Sequence, residues 1–181
     1  FTVALDGTPI MTNPFGVRVS PDGGNVYVAA QGGDAVIAFK RDPSDGSLRY
    51  LMHVKDETNG ATGLDGATEI ALSPDGKFLY ATSTTDDAVQ IFARNPSDGY
   101  LTPAGVVAMG NNPYHIITSH DPDGSRVIVA EWLSDTIKVF NRDRVTGMLT
   151  PLADQTTLTK DGPVYLVSTQ DDLHVYAGLF D

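Results

Sequence analysis

The sequence predicts an all-β fold, a β-propeller of four-stranded antiparallel blades, on three observations. It repeats with a period of about 50 residues. Its strand-like runs are punctuated by tight-turn tetrapeptides, and no stretch sustains the 3.6-residue apolar period of a helix. GVRVSPDGGNVYVAA from Gly16 returns as EIALSPDGKFLYATS from Glu69, as HIITSHDPDGSRVIVAE from His115, and in worn form as YLVSTQDDLHVYAG from Tyr165. DAVIAF, DAVQIF and DTIKVF follow, with Asp34, Asp87 and Asp135 standing 53 and 48 residues apart. DPSDGSL, NPSDGYL and DRVTGML close each copy.

Each repeat reads as four strands. SPDG sets Pro at the second turn position and Gly where a positive φ is needed, so it joins strands A and B. The DAVIAF-type run is strand C, and the DxxxGxL element turns into strand D. Residues 1–11 read as a lone strand D, with blades over 12–62, 63–110 and 111–160 and a half blade over 161–181. About three and a half blades do not close a ring of ordinary size, and open ends invite association. Two copies hold 362 residues, close to seven blades at about 50 residues each. A protein partner or self-association is therefore expected to complete the ring, a heterologous partner or a longer parent chain slightly ahead of a homodimer.

Along the B strands, Val26, Val28, Phe78, Tyr80, Val127 and Val129 are expected on one face. Tyr27, Ala29, Leu79, Ala81, Ile128 and Ala130 are expected on the other. Both sets are apolar, as in a strand covered on both faces.

Composition removes several function classes. Twelve Lys and Arg against 23 Asp and Glu give a net charge of −11, which repels nucleic-acid and anionic lipid phosphates. No apolar run reaches the roughly 18 residues of a membrane span. With no Cys there is no disulfide, thiolate metal site or cysteine nucleophile. Acidity and the lack of Cys fit a secreted or periplasmic protein. DPSDG and DPDG turns superficially suggest Ca²⁺ loops but lack the spaced oxygen series a hard cation needs, so no cofactor is expected.

The SPDG turn followed by [VL]Y[VA]A, DAVxxF and DPxxGxL resembles the blade repeat of the seven-bladed β-propeller lactonase family, over nearly the entire chain. That family includes propeller-type bacterial 6-phosphogluconolactonases and fungal carboxymuconate lactonizing enzymes. GLDGATEIALSPDG also looks like blades of large extracytoplasmic, YVTN-type propeller-repeat proteins. The resemblance implies a channel site in which a His works with acidic and basic partners, and its P-x-H motif survives as Pro113, Tyr114, His115.

The start of strand A and the end of strand B share one face, opposite the SPDG turns. With Ser119 and Arg126 flanking the third turn, paired positions set His115 opposite Ala130 and diagonal to Glu131. Glu69, His115 and Glu131 then form a candidate acid/base constellation at the channel mouth. Tyr114 and Trp132 are candidate apolar walls, and Gln31 and Ser83 hold the Trp132 position in the first two blades. Arg18 falls inside strand A, where its counterparts are Ala71, Ile117 and Val167, so no Arg stands at a matched channel position. His53, His120 and His174 recur at no common blade position and read as structural. On these grounds the sequence favours an extracytoplasmic propeller module that assembles with itself or a partner. A lactonase or lactone-forming isomerase with its site at the channel mouth is the alternative.

Overall fold

The tight turns organise the chain. The Ser20 hydroxyl donates to Asp22 Oδ1 at 2.6 Å and accepts from the Asn25 N–H at 3.0 Å, which locks strand A to strand B across Gly23. Ser73 repeats this with Asp75 and Phe78, and Ser119 with Asp121 and Arg126. The recurring serines are thus turn residues.

In the computed structural model, which describes residues 4–5, 8–152 and 157–180, these turns join meandering antiparallel sheets. A short hairpin of β1 (Ala4–Leu5) and β2 (Thr8–Pro9) comes first. The first four-stranded sheet is β3 (Pro14–Val19), β4 (Asn25–Ala30), β5 (Ala35–Arg41) and β6 (Leu48–Lys55). The second is β7 (Ala67–Leu72), β8 (Phe78–Ser83), β9 (Ala88–Arg94) and β10 (Leu101–Ala108). The third is β11 (Pro113–Thr118), β12 (Arg126–Glu131), β13 (Thr136–Arg142) and β14 (Leu149–Pro151), with β15 (Thr157–Leu158) also on β13. A two-stranded sheet of β16 (Gly162–Ser168) and β17 (Val175–Phe180) follows. Among the described residues one 3-10 turn, Gln31–Gly33, is the sole helical element.

This is an all-β partial propeller of four-stranded antiparallel blades, its sheets unclosed. The expected single strand over residues 1–11 lies partly outside the described residues. Those that are described make the β1–β2 hairpin, and buried Ile10 packs on the first blade.

Blades stack face to face. Tyr27 and Ala29 of the first meet Leu79, Ala81 and Ile70 of the second in one core cluster. Tyr80, Phe78 and Ala71 of the second meet Val127, Val129 and Ile116 of the third in another. Ile128 and Ala130 of the third meet Leu166 of the last. The strand alternation holds, but the expected grouping slips in the middle blade. The turn bonds make Asn25, Phe78 and Arg126 equivalent, so Leu79 and Ala81, rather than Phe78 and Tyr80, correspond to Val26, Val28, Val127 and Val129. The same slip moves Ser83 to the Glu131 position and Thr84 to that of Trp132.

The turn ends of the blades are clamped by buried arginines. Arg94, last residue of β9, spends its guanidinium on the preceding blade's Asp22 (2.7 Å), Asn25 Oδ1 (2.9 Å) and Tyr27 hydroxyl (2.7 Å), and on Gly76 O of its own blade (2.9 Å). The Tyr27 hydroxyl donates onward to Gly99 O at 2.8 Å. Burial alone would raise the Asp22 carboxyl, but the Ser20 hydroxyl, the Gly24 N–H and the Arg94 cation together hold it at about 2. One blade on, Arg142 lies 3.3 Å from Asp75 and over the Phe78 ring, and Tyr80 donates to Gly147 O at 2.9 Å.

Val129 is fully buried between the second and third blades. Replacing it by Asp is expected to cost about 3 kcal/mol or more through a buried unpaired charge, and chemical denaturation with an unchanged midpoint would refute the burial.

Candidate functional site

Four equivalent positions, each four residues before the turn Ser or Thr, line the inner ends of the blades. They are Gly16, Glu69, His115 and Tyr165. The strand pairing puts His115 opposite Ala130, as the turn arithmetic requires. A bulge beside each position (Pro14 to Val17, Ala67 to Ile70, Pro113 to His115, Pro163 to Tyr165) re-aims the side chains.

Consecutive members touch. Glu69 Oε2 lies 3.6 Å from His115 Nε2, and the His115 ring meets the Tyr165 ring at 4.4 Å between centroids. Gly16 leaves the space that Glu69 uses, since a Cβ there would stand 2.5 Å from Glu69 Oε1. Arg18, two residues further along β3, reaches across with Nη2 to Glu69 Oε1 at 3.3 Å, and the Ile70 N–H donates to the same oxygen at 2.9 Å. A basic side chain thus reaches the Glu69 carboxylate, delivered from inside a strand by side-chain length.

Electrostatics follow burial. His115 is 3% exposed, and neither ring nitrogen has a hydrogen-bond partner. Burial, assisted by the Arg18 charge, lowers the imidazole to about 4, so it is neutral at physiological pH. Burial raises the Glu69 carboxyl, opposed by the Ile70 N–H and Arg18. A cleft of about 320 Å³ runs from His115 toward the turn end, lined by Arg18, Ala71, Ile117, Tyr165, Val167 and Ser168 among others. The site thus opens along strand A toward the turn end.

The other sequence-picked residues stand apart from this group. Glu131 does not meet His115: its carboxylate takes the Thr136 hydroxyl at 2.6 Å, Lys138 Nζ at 2.9 Å and the Gly110 N–H. Gln31 accepts from Asn13 at 2.6 Å, and Ser83 donates to Asp65 O. Tyr114 and Trp132 do form a wall, continued edge-to-face by Phe15 on one side and Phe180 on the other, with centroids 5.7 to 6.0 Å apart. Among the described residues no three His, Asp or Glu gather as a metal site.

A family model, Lactonase, 7-bladed beta-propeller, matches residues 21–168. The chain belongs to this family. Solved structures agree. A candidate 6-phosphogluconolactonase from Bacteroides fragilis is 34% identical, with a TM-score of 0.77, over 91% of this chain and 42% of that one. A second, from Bacteroides uniformis, is 33% identical, with a TM-score of 0.75, over 86% and 43%. The periplasmic gluconolactonase PpgL of Pseudomonas aeruginosa is 28% identical, with a TM-score of 0.72, over 86% and 42%. The chain thus spans less than half the length of these lactonase-family structures. Among curated proteins no sequence matches significantly. No helix among the described residues is long and apolar enough to cross a membrane.

Because the folded His115 titrates near 4 and a free imidazole near 6.5, the unfolded chain takes up its proton first as pH falls. The His115 contribution to stability is complete above pH 6.5 and lost between 6.5 and 4. Glu69, shifted upward, contributes with the opposite sign. Thermal melts of the parent and His115→Gln are expected to differ in slope across that window, the parent losing more, and parallel curves would contradict a buried neutral imidazole.

Proposed function

We propose that this chain carries the acid/base part of a lactonase site, hydrolysing a sugar-type lactone in the channel cleft. The observation that carries the reading is the buried His115 imidazole, neutral and with both nitrogens unpartnered, beside an Arg–Glu pair in a lactonase-family fold. Buried polar atoms without partners call for a ligand or water.

In this reaction His115 takes a proton from an attacking water as its oxygen bonds to the lactone carbonyl carbon. Arg18 stabilises the negative charge that develops on the carbonyl oxygen. The ring C–O bond then breaks, and the imidazolium returns its proton to the departing alkoxide, leaving a hydroxy acid. Glu69 orients Arg18 and favours the transient imidazolium. Ala71, Ile117, Tyr165 and Val167 of the cleft lining offer apolar faces to a sugar ring. Support for the scaffold reading weakens, since it rested partly on a missing arginine. The acidic, cysteine-free sequence and the periplasmic location in PpgL's name favour an extracytoplasmic setting.

Base consumption during hydrolysis of glucono-δ-lactone tests the reading. The chain is expected to accelerate hydrolysis, His115→Gln to lower kcat/KM by about 10²-fold or more, and Arg18→Met to lower it with Glu69 still in place. No acceleration by the parent, or parent-like rates in His115→Gln, would overturn it.

A further inference from the structure

One aspartate per repeat ties a blade to the segment that leads into the next. Asp34, Asp87 and Asp135 immediately precede β5, β9 and β13, and all three are left-handed, with φ of 51°, 50° and 52°. Their carbonyls accept from the residues that follow β6, β10 and β15, the Asp56, Met109 and Thr159 N–H groups, each at 2.8 Å. In the first two repeats the carboxylate reaches further, into the next blade. Asp34 Oδ1 accepts from the Gly66 N–H at 3.0 Å, and Asp87 Oδ1 from the Asn112 N–H at 2.7 Å.

The receiving residues are equivalent too. Gly66 and Asn112 are left-handed, with φ of 72° and 57°, and each stands three residues before a member of the site row, Glu69 and His115. Their carbonyls accept from the Thr84 and Trp132 N–H groups of their own blades at 3.2 and 2.9 Å. Each is therefore pinned on both sides, by its N–H to the preceding blade and by its C=O to its own, just ahead of the strand A bulge. Asn112 is held further, since its Nδ2 donates to Thr84 O of the second blade at 3.3 Å. His115 carries no hydrogen bond on its ring, so its place is set by the backbone that leads into it and by the side chains around it.

We propose that Asp87 is a positioning residue, which sets the His115 imidazole against Glu69 by fixing the Asn112 N–H to the second blade. Glu69 and His115 lie on the second and third blades, and the Asp87–Asn112 bond joins those two blades three residues from the imidazole. Glycine adopts a φ near 50° without steric cost, whereas aspartate does not. What the aspartate adds at this place is the acceptor. Without it the segment before β11 loses its tie to the second blade, and a misplacement of about 1 Å at a reacting group costs on the order of 10²-fold in rate. The consequence for catalysis rests on the lactonase reading, but the placing of the imidazole does not.

Three variants test it. Asp87→Gly keeps the left-handed turn and removes the acceptor, Asp87→Asn keeps the turn and an acceptor oxygen, and Asp135→Gly makes the same change one blade on. NMR titration of the His115 imidazole, which faces Glu69, Arg18 and Tyr165, needs no activity as a readout. Asp87→Gly is expected to raise the midpoint from about 4 as the ring loosens from its burial, and to lower kcat on glucono-δ-lactone at least about tenfold with KM little changed. Asp87→Asn and Asp135→Gly are expected to match the parent in both measurements. An unmoved midpoint in Asp87→Gly, an equal shift in Asp135→Gly, or an Asp87→Asn variant that departs from the parent overturns the proposal. Rapid hydrogen exchange of the Asn112 amide in the parent also overturns it, whether or not Asp87→Gly folds. A parent that hydrolyses no lactone overturns the lactonase reading, and the titration then decides this proposal by itself.

Discussion

A propeller blade is apolar on both faces, so each must be covered by a neighbour, and covering alone does not fix the angle between them. Here the buried guanidinium fixes it. Arg94 is wholly enclosed, and its four bonds span two blades and three chemical types: a carboxylate, a phenol, and amide oxygens of side chain and backbone. A cation removed from water is costly unless fully satisfied, so a small rotation of one blade on the next would strand it. Apolar packing supplies the adhesion, and the clamp makes the relative placement nearly single-valued.

That placement matters at the opposite, inner ends of the sheets. Arg18, Glu69 and His115 come from three successive blades, and none is near another in sequence. They converge because each blade repeats the previous one at a set rotation and carries the same bulge at the start of strand A. The repeat then diversifies one position: no side chain at Gly16, an acid at Glu69, an imidazole at His115, an aromatic at Tyr165. The glycine admits the acid, the acid faces the imidazole, and the aromatic covers the imidazole from the far side.

The repeat, the turns and the strand order were legible because glycine, proline and short polar residues mark turns with a local mechanism. The pairing of His115 with Ala130 was legible for the same reason. The facing of strand B in the middle blade was not. KFLYATS is apolar at both parities, so its pattern carries no phase, and only the backbone bond from Ser73 to Phe78 sets it. Glu131 was misplaced because a strand-end diagonal says nothing of competing partners, and Lys138 and Thr136 on the adjacent strand β13 claim its carboxylate. The role of Arg18 is not legible in the repeat, because the repeat aligns backbone positions, whereas a long side chain acts two residues away from its Cα.

The central claim is that clamps at the turn end of the blades hold the row at the opposite end in place. Arg142 clamps the second blade to the third, the two that carry Glu69 and His115. NMR titration of the His115 imidazole in the parent and in Arg142→Met measures the link directly. The account predicts a midpoint near 4 in the parent, moving up toward the ordinary 6.5 when the guanidinium is removed and water enters between the blades. An imidazole that already titrates near 6.5 in the parent, or one that stays near 4 in Arg142→Met, would contradict it.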